Sequence, residues 1–159
     1  MSHASRSLSP ALGVEIAGID LERMSAEDAA ALRLAWRNHH LVLLRGQDVS
    51  EEAYIRFGRQ FGDLEPARSR SPLASHPEVM VISNLRENGR ELGALPDGEL
   101  FWHYDRVHQR IPNRAGVLHA IRLPSRGGET RFINMCRVYD SLPGEIKTRL
   151  VGLRALNTY

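Results

Sequence analysis

The residues with the most chemical potential are His103 and Asp105, in the stretch Trp102-His103-Tyr104-Asp105. They stand two positions apart, and on an extended strand residues i and i+2 point to the same face. An imidazole nitrogen and a carboxylate would then lie side by side and aim at one point. That pair is two thirds of the two-histidine, one-carboxylate donor set that holds non-haem Fe(II) with positions left open for dioxygen and a co-substrate. His-x-Asp is a short pattern, and the same spacing describes a surface strand with two polar side chains facing water. The missing third is a second histidine further along, and no histidine follows His119. His108 comes five positions after His103 and faces the opposite side of a regular strand. His119 falls in the next expected strand and could face either way; neither is expected to complete the set.

The elements that must position this pair read as follows. Residues 101–107 form the motif strand, broken by Ile111-Pro112-Asn113. Residues 115–123 form a strand of alternating character, Pro124-Ser125-Arg126-Gly127-Gly128 a turn, and residues 129–133 the returning partner. Upstream, residues 1–11 are a frayed or extended lead-in and residues 14–19 a short edge strand. Ser25 caps a helix to about His39, with Glu27 and Asp28 in its first turn and Ala29, Leu32, Ala35 and Trp36 as its apolar stripe. Residues 41–44 are a buried strand. Ser50 caps a second helix with Tyr54, Phe57 and Phe61 on one face and Gly62 as its stop. This aromatic face is core and not a cofactor site. His39 and His40 belong to a helix end, and His3 and His76 to loops. Residues 63–77 are an irregular loop and residues 79–82 a strand. Residues 84–99 are a long connection just before the motif, equally readable as a lid or a plain surface loop. Ser141-Leu142-Pro143 opens a third helix, with Ile146 and Leu150 facing the core and Gly152 ending it. Residues 153–159 begin another strand.

Composition excludes several classes. The chain has 159 residues, the size of one domain with a real core, and is 42% hydrophobic and 25% charged. No apolar run nears the ~18 residues of a membrane span. The first ten residues lack the apolar centre of a secretory signal, so a cytoplasmic location is expected. Cys136 is the single cysteine, which excludes an internal disulfide and a cysteine-based zinc cluster. The net charge is +2 with dispersed arginines, which gives no case for nucleic acid. Arg68 and Arg70 are the nearest approach to a basic patch.

Several segments together carry a family likeness. Trp102-His103-Tyr104-Asp105, then Gly116-Val117-Leu118-His119-Ala120, then Leu123-Pro124-Ser125-Arg126-Gly127-Gly128-Glu129-Thr130, and then Tyr139-Asp140-Ser141-Leu142-Pro143 with Gly152-Leu153-Arg154-Ala155 fall in one order. Near the front stand Gly13-Val14-Glu15-Ile16-Ala17-Gly18-Ile19-Asp20-Leu21 and Phe57-Gly58-Arg59-Gln60-Phe61-Gly62. This series resembles the taurine/alpha-ketoglutarate dioxygenase superfamily of Fe(II)- and 2-oxoglutarate-dependent oxygenases, over nearly the whole chain.

The resemblance implies an α+β fold: a double-stranded β-helix, or jelly roll, with flanking helices. It implies that His103 and Asp105 ligate Fe(II) and that Thr130 gives its hydroxyl to 2-oxoglutarate. The bland alternative for Thr130 is a β-branched residue suited to a strand. It further implies dioxygen and a small organic acid or amino-acid-like molecule as reactants, the substrate being hydroxylated or otherwise oxidised as 2-oxoglutarate is decarboxylated to succinate. Asp105, in place of an alanine or glycine, points to oxidation and away from halogenation. Glu99 sits where relatives place a substrate-contacting polar residue.

The family pattern also needs a second histidine ligand and, shortly after it, an arginine for the far carboxylate of 2-oxoglutarate. Arg149 and Arg154 lie in or near the third helix and not at that place. Residues 1–159 are therefore expected to form a single, incomplete dioxygenase domain, truncated before its distal strands. Such a domain would be inactive or would depend on its missing part, and its unpaired sheet edges would invite self-association or a complementing chain. The competing expectation is a non-catalytic remnant or interaction module that retains the scaffold.

Overall fold

The computed structural model describes residues 3–67, 73, 75–94 and 101–157. It divides into two compact units, Met1–Gln60 with Ala115–Tyr159, and Phe61–Arg114.

The first unit is built on a three-stranded sheet. β1 (Ser5–Ser7) pairs antiparallel with β2 (Val14–Ile16), which pairs parallel with β3 (Val42–Leu43). β2 is therefore the central strand and not an edge, and part of the expected lead-in is a strand. The alternation on β2 decides its faces: Val14 and Ile16 are buried, while Glu15 points outward. Glu15 pairs with Arg6, its register partner on β1, at 2.7 Å and with Arg45 at 3.3 Å.

α1 (Ala26–His39) supplies the parallel crossover between β2 and β3, as such connections require. It starts where expected, on a complete capping box. Ser25 Oγ accepts from the Asp28 amide at 3.1 Å, and Asp28 Oδ2 accepts from the Ser25 amide at 2.9 Å. It ends at His40, whose left-handed φ of 64° lets its amide donate to Trp36 O at 2.7 Å. The core gathers Val14, Ile16, Ile19, Leu21 and Leu32, with Leu32 only 1% exposed.

α2 (Glu51–Gly58) is capped by Ser50 but stops at Arg59, three residues short of the expectation built on Gly62. The Gln60 amide bonds Phe57 O at 2.9 Å, a tighter turn that closes the helix before Phe61 reaches the aromatic face. Later in this unit come α3 (Met135–Ser141) and α4 (Gly144–Leu150). α3 was not expected; its signal is Asn134, whose side chain accepts from the Arg137 amide at 3.2 Å and donates to Ala11 O at 2.9 Å. In α4, Ile146 is half-buried but Leu150 is exposed, which corrects its assignment to the core.

In the second unit, the expected strand at 79–82 is reduced to isolated bridges at Met80 and Ile82, the latter with Ala94. The connection after it holds a hairpin, β4 (Arg86–Glu87) and β5 (Arg90–Glu91), turning on Asn88-Gly89 with φ of 50° and 80°. Asn-Gly is the pair that tolerates two positive φ values in so tight a turn. No helix among the described residues is long and apolar enough to cross a membrane.

Residues 101–107, 115–123, 129–133 and 153–157 do not form ladder strands. A strand exists through its hydrogen-bonded neighbour, and among the described residues these segments have none. Residues 115–119 nevertheless keep the expected alternation: Ala115, Val117 and His119 are half-buried, while Gly116 and Leu118 are exposed.

Candidate metal centre

His103 and Asp105 come together without the strand that was expected to align them. The backbone turns here instead. The Val107 amide bonds Tyr104 O at 3.3 Å and the Gln109 amide bonds Arg106 O at 2.9 Å. Arg106 sits at the bend with φ of 56°. His103 Nε2 lies 3.3 Å from Asp105 Oδ1. His103 Nδ1 lies 3.0 Å from Phe101 O. A carbonyl can only accept, so Nδ1 carries a proton and donates to it, which leaves Nε2 as the ring nitrogen that faces the carboxylate. This is the arrangement that orients a metal-binding histidine: one nitrogen tied to a backbone oxygen, the other facing the ion. The side chains of His103 and Asp105 are 51% and 68% exposed, so the pair opens to solvent.

Two further contacts hold this loop. Tyr104 donates its hydroxyl to Asn113 O. The Arg106 guanidinium reaches Glu65 Oε2 at 2.8 Å and Pro66 O at 2.9 Å. Sequence reasoning missed the second, because no local pattern announces a left-handed arginine or its partners some forty positions upstream.

The other expected residues are placed as follows. Thr130 belongs to the first unit, where it is exposed on irregular backbone. Just before it, Gly127 and Gly128 have φ of 77° and 75°. A Cβ on Gly128 would come within 3.1 Å of Pro124 Cγ, so both glycines are needed for the turn. His119, also in the first unit, lies against Tyr54 with ring centroids 5.8 Å apart. Tyr54 donates its hydroxyl to Val117 O at 2.6 Å, and burial pushes the Tyr54 phenol up from its ordinary value. His39 ends α1 and His40 caps it, while His3 pairs with Asp28 at 2.9 Å. Among the described residues no group of three or more His, Cys, Asp and Glu is arranged to hold a metal ion. Arg68, Arg70 and Glu99 lie outside the described residues.

The family model for "Taurine catabolism dioxygenase TauD, TfdA family" matches residues 4–159. Pentalenolactone F synthase of Streptomyces avermitilis is 36% identical, over 91% of this chain and 49% of that protein. The alpha-ketoglutarate-dependent 2,4-dichlorophenoxyacetate dioxygenase of Cupriavidus pinatubonensis is 30% identical, over 98% of this chain and 58% of that protein. Among solved structures, a proposed alpha-ketoglutarate-dependent taurine dioxygenase from Burkholderia xenovorans superposes with a TM-score of 0.75 at 26% identity, covering 95% of this chain and 53% of that one. AAD-2, solved with Mn(II) and N-oxalylglycine, gives a TM-score of 0.66 at 24% identity, a likeness of fold. The chain belongs to the TauD/TfdA dioxygenase family. It spans about half the length of the curated relatives it matches.

Proposed function

We propose that these residues are part of an Fe(II)- and 2-oxoglutarate-dependent dioxygenase that oxidises a small organic acid or amino-acid-like substrate. In this reading they contribute two of three metal ligands to a single jelly-roll domain. The observation that carries it is the pairing of His103 Nε2 with Asp105 Oδ1 at 3.3 Å, with Nδ1 tied back to Phe101 O. The donor set fits the ion. One neutral imidazole nitrogen and one carboxylate oxygen suit Fe(II), and their open exposure leaves room for further ligands. The family match and the co-substrate in the name of the Cupriavidus relative support 2-oxoglutarate.

The residues divide the work. Asp105 brings a negative charge to a divalent cation, and His103, fixed in one tautomer, brings a directed lone pair. Thr130, on the far side of its glycine turn, offers a hydroxyl to a carboxylate of 2-oxoglutarate. Fe(II), when bound with 2-oxoglutarate, supplies the activation of dioxygen that couples decarboxylation to substrate oxidation. The third metal ligand and the arginine that pairs with the far carboxylate come from outside residues 1–159, from further chain or a complementing one.

The test is anaerobic addition of Fe(II) and 2-oxoglutarate to the product of the complete reading frame. A visible metal-to-ligand charge-transfer band is expected, lost in His103→Ala and in Asp105→Ala. A band that survives both substitutions refutes the assignment. Residues 1–159 alone are expected to give a weak band or none, since two protein donors hold a metal far less tightly than three.

A further inference from the structure

We propose that Arg106 is a positioning residue for the metal-ligand pair, clamping the turn that carries Asp105 to residues 65 and 66 of the same unit. The inference rests on the metal reading above and goes beyond it. The side chains of His103 and Asp105 are half or more exposed, and among the described residues no sheet ladder fixes their backbone. The turn that carries Asp105 therefore has to be held by other contacts.

Arg106 is what holds that turn. Of residues 101–108 it is the one that is not exposed, its side chain being 17% accessible. Its φ of 56° is a conformation that an L side chain resists, so the surroundings must impose it. The imposing contacts are the two guanidinium bonds, to Glu65 Oε2 at 2.8 Å and to Pro66 O at 2.9 Å. Both have the charged guanidinium as donor and the first is also an ion pair, and together they fix the direction of the side chain as well as its distance. The Arg106 carbonyl, on the same residue, receives the Gln109 amide and closes the turn. Released from the clamp, the backbone at 106 relaxes toward negative φ. The adjacent Asp105 carboxylate then swings away from His103 Nε2.

The experiment measures Mn(II) affinity by the loss of the free-ion EPR signal, with thermal unfolding followed alongside, in the product of the complete reading frame. Arg106→Ala is expected to weaken Mn(II) binding about tenfold, at the lower end for residues that orient a metal ligand. Arg106→Gly is expected to weaken it as much, because glycine accepts φ of either sign and, without the guanidinium bonds, nothing holds the backbone left-handed. Arg106→Lys, which keeps the charge but cannot make both bonds, should recover part of the loss. Glu65→Ala attacks the same clamp from an exposed partner and should weaken binding without lowering the unfolding midpoint. Parent-level affinity in Arg106→Ala, Arg106→Gly and Glu65→Ala, with binding lost in His103→Ala, overturns the inference and leaves the metal reading standing. Binding unchanged in His103→Ala overturns the metal reading and the inference together.

Discussion

Tyr54 is the described tie between α2 and the 115–120 segment, and Tyr54→Phe removes it with a single oxygen. The hydroxyl donates to Val117 O at 2.6 Å, a short bond for this pair of groups. The ring against His119 stays in place in the variant, so the change isolates the hydrogen bond. A neutral intramolecular bond is worth about 0.5–1.5 kcal/mol net, and an unpaired buried carbonyl costs more. Val117 is only half-buried, so water can reach its carbonyl in the variant, and the loss should fall near the middle, about 1 kcal/mol. That corresponds to roughly a fivefold rise in the unfolding equilibrium. Urea unfolding of the two proteins is the assay. A loss of about 1 kcal/mol in Tyr54→Phe is expected. The pH dependence gives a second, signed check. Burial raises the Tyr54 pKa above its ordinary value of 10.0. Its contribution to stability is therefore fully present below that value and fades as pH rises through the higher folded-state value. The parent should lose stability there relative to Tyr54→Phe. An unchanged unfolding free energy, or identical alkaline profiles for the two proteins, would show that Tyr54 does not hold this segment.

Other outcomes follow from the same contacts. Asp28 is held below its ordinary 3.8, first by the Ser25 amide and then by the Ser25 hydroxyl. Its contribution is present above 3.8 and lost as pH falls through the lower folded value, so Asp28→Asn should flatten the acid limb of a stability-versus-pH curve. Gly93→Ala would set a Cβ 2.6 Å from the Ser83 amide nitrogen and 2.8 Å from Val81 O, both backbone atoms that cannot step aside. It should cost about 1–3 kcal/mol locally and abolish exchange protection at Ala94, whose amide bonds Val81 O at 2.8 Å. His103→Ala and Asp105→Ala should each remove the anaerobic charge-transfer band while leaving the unfolding free energy within about 1 kcal/mol of the parent, since both side chains are largely exposed.

What the amino-acid sequence settled unaided was local chemistry. Ser25 with Asp28 marks a helix start because a short oxygen-bearing side chain and a carboxylate three positions on satisfy two backbone amides within one turn. Ser50 marks the start of α2 with its side chain alone, accepting from the Ala53 amide, and Gly127-Gly128 encodes a turn that other residues resist. His103 and Asp105 could be singled out as candidates because the donor atoms a metal needs are a matter of residue type. The Asn88-Gly89 hairpin was equally legible and was passed over in favour of an undivided loop.

Tertiary structure decided whatever depends on a partner distant in the chain. An alternating segment becomes a strand only when another backbone meets its amides and carbonyls. So residues 115–119 keep their two faces without a ladder, while Ser5–Ser7, with no alternation to announce it, is a strand because β2 lies beside it. The site shows the same division. Residue types named the pair, but a turn, and not a strand, sets its 3.3 Å approach. That turn is held at Arg106 by Glu65 and Pro66, some forty positions away, a contact that spacing within the motif could not reveal.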